Sequence, residues 1–422
     1  MTIDDDNAGR MCRPIGPFSN FRRYDRLYLH LDLINELVDE AITTSSKNAE
    51  PRTTRTGEAP SHQTPKKAQQ SATLKPSVPS QSPATCRRSP KEPGLRLFDP
   101  AVLAGLRRQV EALGRSNDRR AVIDLLDTGL GRFEDGVVPL ARVPRNLAAR
   151  LTRLREEMPN FASTLDHLTP LLELQRAGDG TVRLPPLLLD GPPGIGKTYF
   201  AQRFAQALGL HFRAHGLEAA TAHWILSGAN LTWQSGGPGL VLRTLTSAGQ
   251  ANPMILLDEV DKADPDYRHS PLKALYALLE PHSARTFRDE AVPDLVLDAS
   301  AINWMLTSND SSRVPAPLLS RMRRVEVPVP NAKQRRQIVT VVYRNLRASH
   351  RWGRRFSPTL KPRTIDALAT LDESVRQLQR VLMQACAVAL TARRREIEPQ
   401  DVAAVMRGPL MELENMSPQG NA

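Results

Sequence analysis

The chain has 422 residues, 40% of them hydrophobic, with 34 prolines and a formal net charge of +12 at pH 7. At about 100–200 residues per domain that length allows two or three compact units, and the low apolar share with many prolines points to a part that joins no core. Cys12, Cys86 and Cys386 make no C-x-x-C pair and stand at no metal-ligand spacing from a histidine, which argues against a disulfide framework or a zinc site. The start, MTIDDDNAGR, is acidic and polar where a signal peptide needs a basic start and an apolar run. No apolar stretch approaches the roughly 18–20 residues that span a bilayer, so the expectation is a cytoplasmic protein with no membrane contact. The positive balance leaves room for an anionic partner, but solvated arginines satisfy it equally well. No helix-turn-helix, zinc finger or aromatic-interleaved basic strand supports nucleic acid.

In chain order, residues 20–42 carry apolar residues at helical spacing and predict one amphipathic helix, either a docking element or a loosely attached end. Residues 41–93 hold nine Lys or Arg against three Glu, and eight prolines, a composition that buries too little apolar surface to offset its ordering entropy. Helical patterns resume at Phe98 and run to Arg176, broken by short Gly, Asn or Pro stretches. From Leu187 to Pro328, strand-like runs alternate with helical ones, the pattern of a parallel sheet with crossover helices. From Asn331 to Gly408 the pattern is helical again. The expected divisions are an N-terminal segment 1–42, a disordered linker 43–95, a helical region 96–157, an α/β domain 158–330, a helical lid 331–408 and a tail 409–422.

The strongest motif is LLLDGPPGIGKTYFAQRFAQALG at 187–209, which satisfies G-x-x-x-x-G-K-T from Gly191 to Thr198. Between an apolar strand and a helix, the loop Gly191, Pro192, Pro193, Gly194, Ile195 and Gly196 lets backbone N–H groups converge on one phosphate. Lys197 is expected to bridge the β- and γ-phosphates of ATP, and the Thr198 hydroxyl to ligate Mg²⁺. A second motif, PMILLDEVDK at 253–262, is an apolar strand ending in two acids, 61 residues after Lys197. Asp258 would hold the magnesium ion through water, and Glu259 would polarise the attacking water. A third strand, AINWMLTSND at 301–310, ends in Asn309, whose amide can orient that water or touch the γ-phosphate. Beyond it, Arg321 follows a short helix and is placed to reach a neighbouring subunit's γ-phosphate, with Arg323 and Arg324 as rivals. In the last helical part, DESVRQLQRVLMQA at 372–385 carries Arg376.

These stretches, with KALYALLEP, TFRDEAVPDLVLDAS and VPAPLLSRM in the same order, resemble the AAA+ module of Lon-type ATP-dependent proteases from about Met158 to Val405. The acidic, strand-like phrase Thr286–Asp298 is not shared by most AAA+ proteins. The resemblance implies a P-loop NTPase of AAA+ type, with Asn309 as sensor 1, Arg321 as arginine finger and Arg376 as a sensor 2 arginine touching the nucleotide. It also implies a homo-oligomeric ring, a hexamer, because such a finger is useful only to a neighbour. Two departures stand out. The Lon pore loop carries an aromatic, an aliphatic and a glycine, whereas GANLTWQSGGPG at 228–239 offers Trp233, Gln234 and Ser235. Before the sensor 2 arginine, Lon usually has Gly-Val-Arg, and this chain has Ser374-Val375-Arg376. Only 46 residues follow Arg376, too few for Lon's peptidase domain, so the expectation is a motor without its own protease. Three readings remain: a protein-remodelling motor gripping polypeptide through Trp233, a nucleic-acid-associated ATPase, and a nucleotide-operated scaffold or switch.

Overall fold

A computed structural model describes residues 93–113, 117–217, 224–231, 236–263, 271–371 and 373–407. The helix expected over 20–42, nearly all of the linker, Trp233 and the 409–422 tail lie outside them. The first described elements are a short strand β1 (Gly94–Arg96), helices α1 (Pro100–Leu113) and α2 (Asn117–Gly129), and a strand β2 (Val137–Pro139) antiparallel to β1. The sequence pattern predicts helices alone here. Three-residue strands are too short to show a period-2 signal, and it is Gly136, at φ 69°, that turns the chain so that buried Val138 can pair with Leu95. Helices α3 (Leu147–Glu157) and α4 (Ala162–Ala177) follow, joined by a 3₁₀ turn over Pro159–Phe161.

The central sheet is built from β3 (Leu187–Asp190), β4 (Phe212–Gly216), β5 (Met254–Asp258), β8 (Asn303–Ser308) and β9 (Arg323–Glu326). Its order is β4-β5-β8-β3-β9 and every neighbouring pair is parallel. The crossovers supply α5 (Lys197–Leu208), α6 (Trp224–Ser227), α7 (Leu240–Ala248), α8 (Lys273–Leu278), α9 (Pro281–Ala284) and α10 (Ala316–Leu319). The phrase Thr286–Asp298 forms a hairpin of β6 (Phe287–Arg288) and β7 (Val296–Leu297).

Successive strand residues face opposite sides, and the core divides accordingly. Leu188, Ile255, Leu257, Trp304 and Leu306 join the layer that contains Leu103, Leu126 and Leu245 of α1, α2 and α7. Leu187, Leu189, Leu256 and Met305 join the opposite layer, with Leu151 of α3, Leu168 of α4 and Phe204 of α5. Being covered on both faces explains why the strands read as unbroken apolar runs. In the second layer Phe161 stacks on Phe200 with centroids 4.3 Å apart, and Phe200 on Phe204 at 5.6 Å, so the 3₁₀ turn is clamped to α5.

The last described part is helical: α11 (Ala332–Ser349), α12 (Pro362–Ala369), α13 (Val375–Thr391) and α14 (Pro399–Met406), around their own apolar cluster. Local chemistry sets the boundaries. Asn331 with Gln334, and Ser374 with Gln377, form capping boxes, and Pro362 and Pro399 open α12 and α14, where a missing N–H costs nothing. Cys386 is buried in this cluster, which pushes its thiol up to about 12, so it packs as an apolar residue. Among the described residues no helix is long and apolar enough to cross a membrane, and no group of three or more His, Cys, Asp or Glu side chains could hold a metal ion.

Candidate functional site

The loop after β3 turns on glycines. Gly194 (φ 79°) and Gly196 (φ 95°) lie in the left-handed region, and a Cβ on Gly194 would come within 2.8 Å of Ser374. Gly196 is the residue before α5, so the loop ends on a helix N-terminus with Lys197 as its first residue. The Lys197 ammonium is buried and donates to Gly191 O at 2.6 Å, Pro192 O at 2.9 Å and Asn309 Oδ1 at 2.9 Å. Burial pushes its pKa below the usual lysine range, and the carboxylates of Asp258, Asp261, Asp190 and Glu259 pull it back.

Opposite the loop, Thr198 Oγ1 donates to Asp258 Oδ2 at 2.7 Å. The other oxygen of Asp258 accepts from the Thr307 hydroxyl. That same hydroxyl oxygen accepts the Glu259 N–H at 3.0 Å, so one side chain of β8 orients both acids. Glu259 adopts φ 57°, a left-handed conformation uncommon for a side-chain-bearing residue, and its carboxylate pairs with Lys262 at 2.9 Å. Asn309 is fixed from behind, because Asp261 Oδ2 accepts the N–H groups of Asn309 at 3.2 Å and Asp310 at 3.3 Å.

Asp190, at the end of β3, has a parallel role. Burial alone would raise its carboxyl. Hydrogen bonds from Ser308 and Ser311 and the charge of Arg324, 2.9 Å away, outweigh burial and hold it below the ordinary carboxylate range. Asp190, Asp261 and Thr307 escape a motif reading. An acid closing a buried apolar strand, the signal that singles out Asp258, was available for Asp190; Thr307 carries no such signal.

Loop and lid line a cleft of about 620 Å³ between Pro192–Ile195, Val329 and Pro330 in the chain after β9, and the helical part's Ile338, Leu371 and Val375. Its walls are tied together. Asn160 Nδ2 donates to Ile195 O at 3.2 Å, and Gln334 Nε2 donates to Pro159 O at 3.0 Å. A glycine-rich loop ending on a helix N-terminus, a lysine, a hydroxyl, a carboxylate and an adjacent cleft suit a nucleoside triphosphate, and hard oxygen donors at Thr198 and Asp258 suit Mg²⁺.

The remaining candidates lie apart. Arg321 donates to Glu280 at 3.4 Å and Pro317 O at 3.0 Å and lies over the Tyr276 ring, none of which belongs to the 191–198 loop. Arg324 is engaged by Asp190, and Arg323 is exposed on β9. Arg376 is exposed in the first turn of α13, two residues beyond Ser374. Trp233 itself is outside the described residues, but the ends of its loop are closed: Ala229 and Gly237 pair, and buried Asp289 accepts the Gly239 N–H at 2.8 Å and the Ala291 N–H at 3.0 Å. Asp289 is pushed up to about 7 by burial, against these two hydrogen bonds.

Residues 187–329 match the family described as "ATPase family associated with various cellular activities (AAA)". The chain therefore carries an AAA+ P-loop ATPase module. It is 38% identical over 141 residues to a Lon protease of Frankia alni, 33% of this chain and 16% of that protein. It is likewise 38% identical over 150 residues to a Lon protease of Mycolicibacterium smegmatis, 36% of this chain and 19% of that one. The module thus resembles the Lon ATPase region, and the match spans less than one fifth of the length of those relatives. Among solved structures, a Thermotoga maritima RuvB Holliday junction branch migration motor aligns over 70% of this chain and 75% of its own, at TM-score 0.40 and 17% identity.

Thr307→Val keeps the shape of the side chain and removes both hydrogen bonds that orient Asp258 and Glu259. A hydrogen bond to a charged group is worth about 1.5–3 kcal/mol. Turnover should therefore fall on the order of 10- to 100-fold while nucleotide affinity is retained. Steady-state hydrolysis beside equilibrium binding of a fluorescent nucleotide separates the two; an unchanged rate would deny Thr307 this role.

Proposed function

We propose that this protein is a magnesium-dependent ATPase that assembles as a ring, a hexamer by resemblance, and uses hydrolysis to remodel protein substrates. The observation that carries the reading is the convergence of Lys197, Thr198, Asp258, Glu259 and Asn309 at one edge of the sheet, with Thr198 and Asp258 2.7 Å apart. In this reading Lys197 leaves its carbonyl partners for the β- and γ-phosphate oxygens, and the loop N–H groups cradle them. Thr198 and Asp258 hold the magnesium ion, which supplies charge neutralisation on the phosphate oxygens when bound. Glu259 polarises the water that attacks the γ-phosphorus, Asn309 orients it, and ADP and phosphate leave. Arg376, near the cleft, reports nucleotide state to the lid.

Lys197→Ala should abolish nucleotide binding, because it removes the one point charge aimed into the loop. Glu259→Gln should bind ATP and fail to turn it over, since an amide keeps the shape but cannot polarise water. Calorimetric titration and phosphate release check both; tight binding by the first variant or near-normal hydrolysis by the second would undo the site assignment.

Arg321 makes its contacts with Glu280, Pro317 and Tyr276, away from its own 191–198 loop, which favours a role toward a neighbour's site over its own. Arg321→Ala should lower hydrolysis on the order of 10³-fold with affinity largely kept. Mixed with Glu259→Gln, it should regain activity, because some junctions then combine an intact Glu259 with a neighbour's intact arginine. Mixed rings without recovery would move the role to Arg323 or Arg324, or into the same subunit.

The remodelling reading rests on Trp233, whose neighbours Thr232, Gln234 and Ser235 are too polar for a core strand. An aromatic ring grips a threaded chain by apolar contact without requiring a particular sequence. An unfolded polypeptide should stimulate hydrolysis, and Trp233→Ala should remove that stimulation while basal activity and assembly persist. Stimulation that survives the substitution would count against threading, whereas lost assembly would mark Trp233 as a packing residue.

A further inference from the structure

Asp289 is a buried carboxyl group that takes no part in the nucleotide site. It follows β6 directly, in a hairpin that is itself firmly held. Leu295 and Leu297 are buried in the first apolar layer, and Asp298 donates its N–H to Leu97 O at 2.8 Å. Two segments from elsewhere in the chain meet at the carboxyl group. One is the residue before α7: Gly239 donates its N–H to Asp289 Oδ2 at 2.8 Å, while Oδ1 accepts the hairpin's own Ala291 N–H at 3.0 Å. The other is the residue after α6: Gly228, at φ 78°, approaches so closely that a Cβ there would run into Asp289 Oδ1. Glu290 adds a bond from its N–H to Ser227 O at 2.7 Å. Gly239 in turn has no room for a Cβ against Gly228 N and Leu226 O.

Gly228 and Gly239 are the first and last residues of the stretch that carries Trp233. Just inside them, Ala229 and Gly237 exchange both backbone hydrogen bonds, at 2.9 and 3.0 Å. Both ends of the stretch therefore close on one side chain of the hairpin.

We infer that Asp289 is the latch of the 228–239 stretch, a positioning residue whose carboxyl group joins both ends of that stretch to the β6–β7 hairpin. Its consequence for a polypeptide substrate rests on the Trp233 reading; the latch itself rests on the contacts of the described ends. Alanine at this position would leave the Gly239 and Ala291 N–H groups unpaired in a buried place. The charged groups that face the carboxyl are Arg243 of α7, which favours the carboxylate, and Glu290 of the hairpin, which opposes it; α6, Trp224–Ser227, carries none. Burial outweighs Arg243 and lifts the group to about 7. A latch that opens hydrates the carboxyl and returns it to its ordinary acidic range, so opening releases a proton wherever the closed form still holds one. Opening therefore becomes easier as pH rises from 5 to 7, by up to about 10-fold per pH unit, and stops responding above that.

The test uses the full chain, with hydrogen exchange read by mass spectrometry on fragments containing Gly228, Gly239 and Ala291 and corrected for the intrinsic pH dependence of amide exchange. Protection there should fall through pH 5 to 7 and then level off, and Asp289→Asn, which has no proton to lose, should abolish the slope. A parent protein without that slope overturns the inference, and this arm needs no variant to fold. The second readout is hydrolysis stimulated by reduced, carboxymethylated lactalbumin at pH 8, relative to each protein's own basal rate. Asp289→Ala should raise the concentration for half-maximal stimulation on the order of 10-fold, the scale of a lost hydrogen bond to a charged group. Asp289→Asn should recover most of that loss, because it keeps one acceptor oxygen. If the parent is stimulated and Asp289→Ala responds identically, the inference is overturned as well. Lactalbumin that stimulates nothing, with the exchange slope in place, would sink the remodelling reading and leave the latch standing.

Discussion

A buried ammonium group sets the terms for this structure. Lys197 lies inside the protein, where an uncompensated charge is costly, so carboxylates must be held around it. Parallel strands solve that problem, because their C-terminal ends all emerge at one edge of the sheet. The register of β3, β5 and β8 places Asp190 beside Ser308 and delivers Asp258 and Glu259 to the side chain of Thr307. A shift of one residue in β8 would turn Thr307 toward the opposite face, and both acids would lose the hydroxyl that orients them. The polar edge therefore depends on apolar strands packed on both faces, where Leu, Ile and Met side chains fix the register by filling two cores.

The loop and the lid depend on that edge in turn. Gly194 fits against Ser374 only because it lacks a Cβ, and Ser374 is the residue that caps α13. Gln334, in the capping box of α11, reaches Pro159, and Gln337 Nε2 donates to Glu156 O at 2.7 Å. The residues that start the lid helices are thus the ones that touch the sheet domain. A ligand filling the cleft would contact both parts, which is the condition for a bound state to bias the relation between them.

The chain before the loop also takes part in this arrangement. Glu157 is buried and pairs with Arg203 of α5 at 3.0 Å, and Tyr199 donates to it at 2.5 Å. Burial pushes the Tyr199 hydroxyl above its ordinary range, so it stays a donor to that carboxylate. With the Phe161–Phe200–Phe204 stack, these contacts fasten the 3₁₀ turn at the cleft to the helix that starts with Lys197.

Much of this was legible in the residues. Gly191–Thr198, Asp258, Glu259 and Asn309 stand in local patterns, an apolar strand followed by glycines or acids, and local patterns survive without knowledge of the rest of the chain. The parallel sheet was legible too, because strands buried on both faces read as unbroken apolar runs. Thr307 and Asp261 were not, since their importance lies in which strand end stands beside which, and that is settled by register rather than by neighbours in sequence. The two short strands flanking α1 and α2 were missed for a related reason: three residues carry no period. Sequence determines what each segment can do alone; contacts between distant segments decide which groups act together, because hydrogen bonds and charges operate over a few ångströms and the chain brings those distances about only by folding.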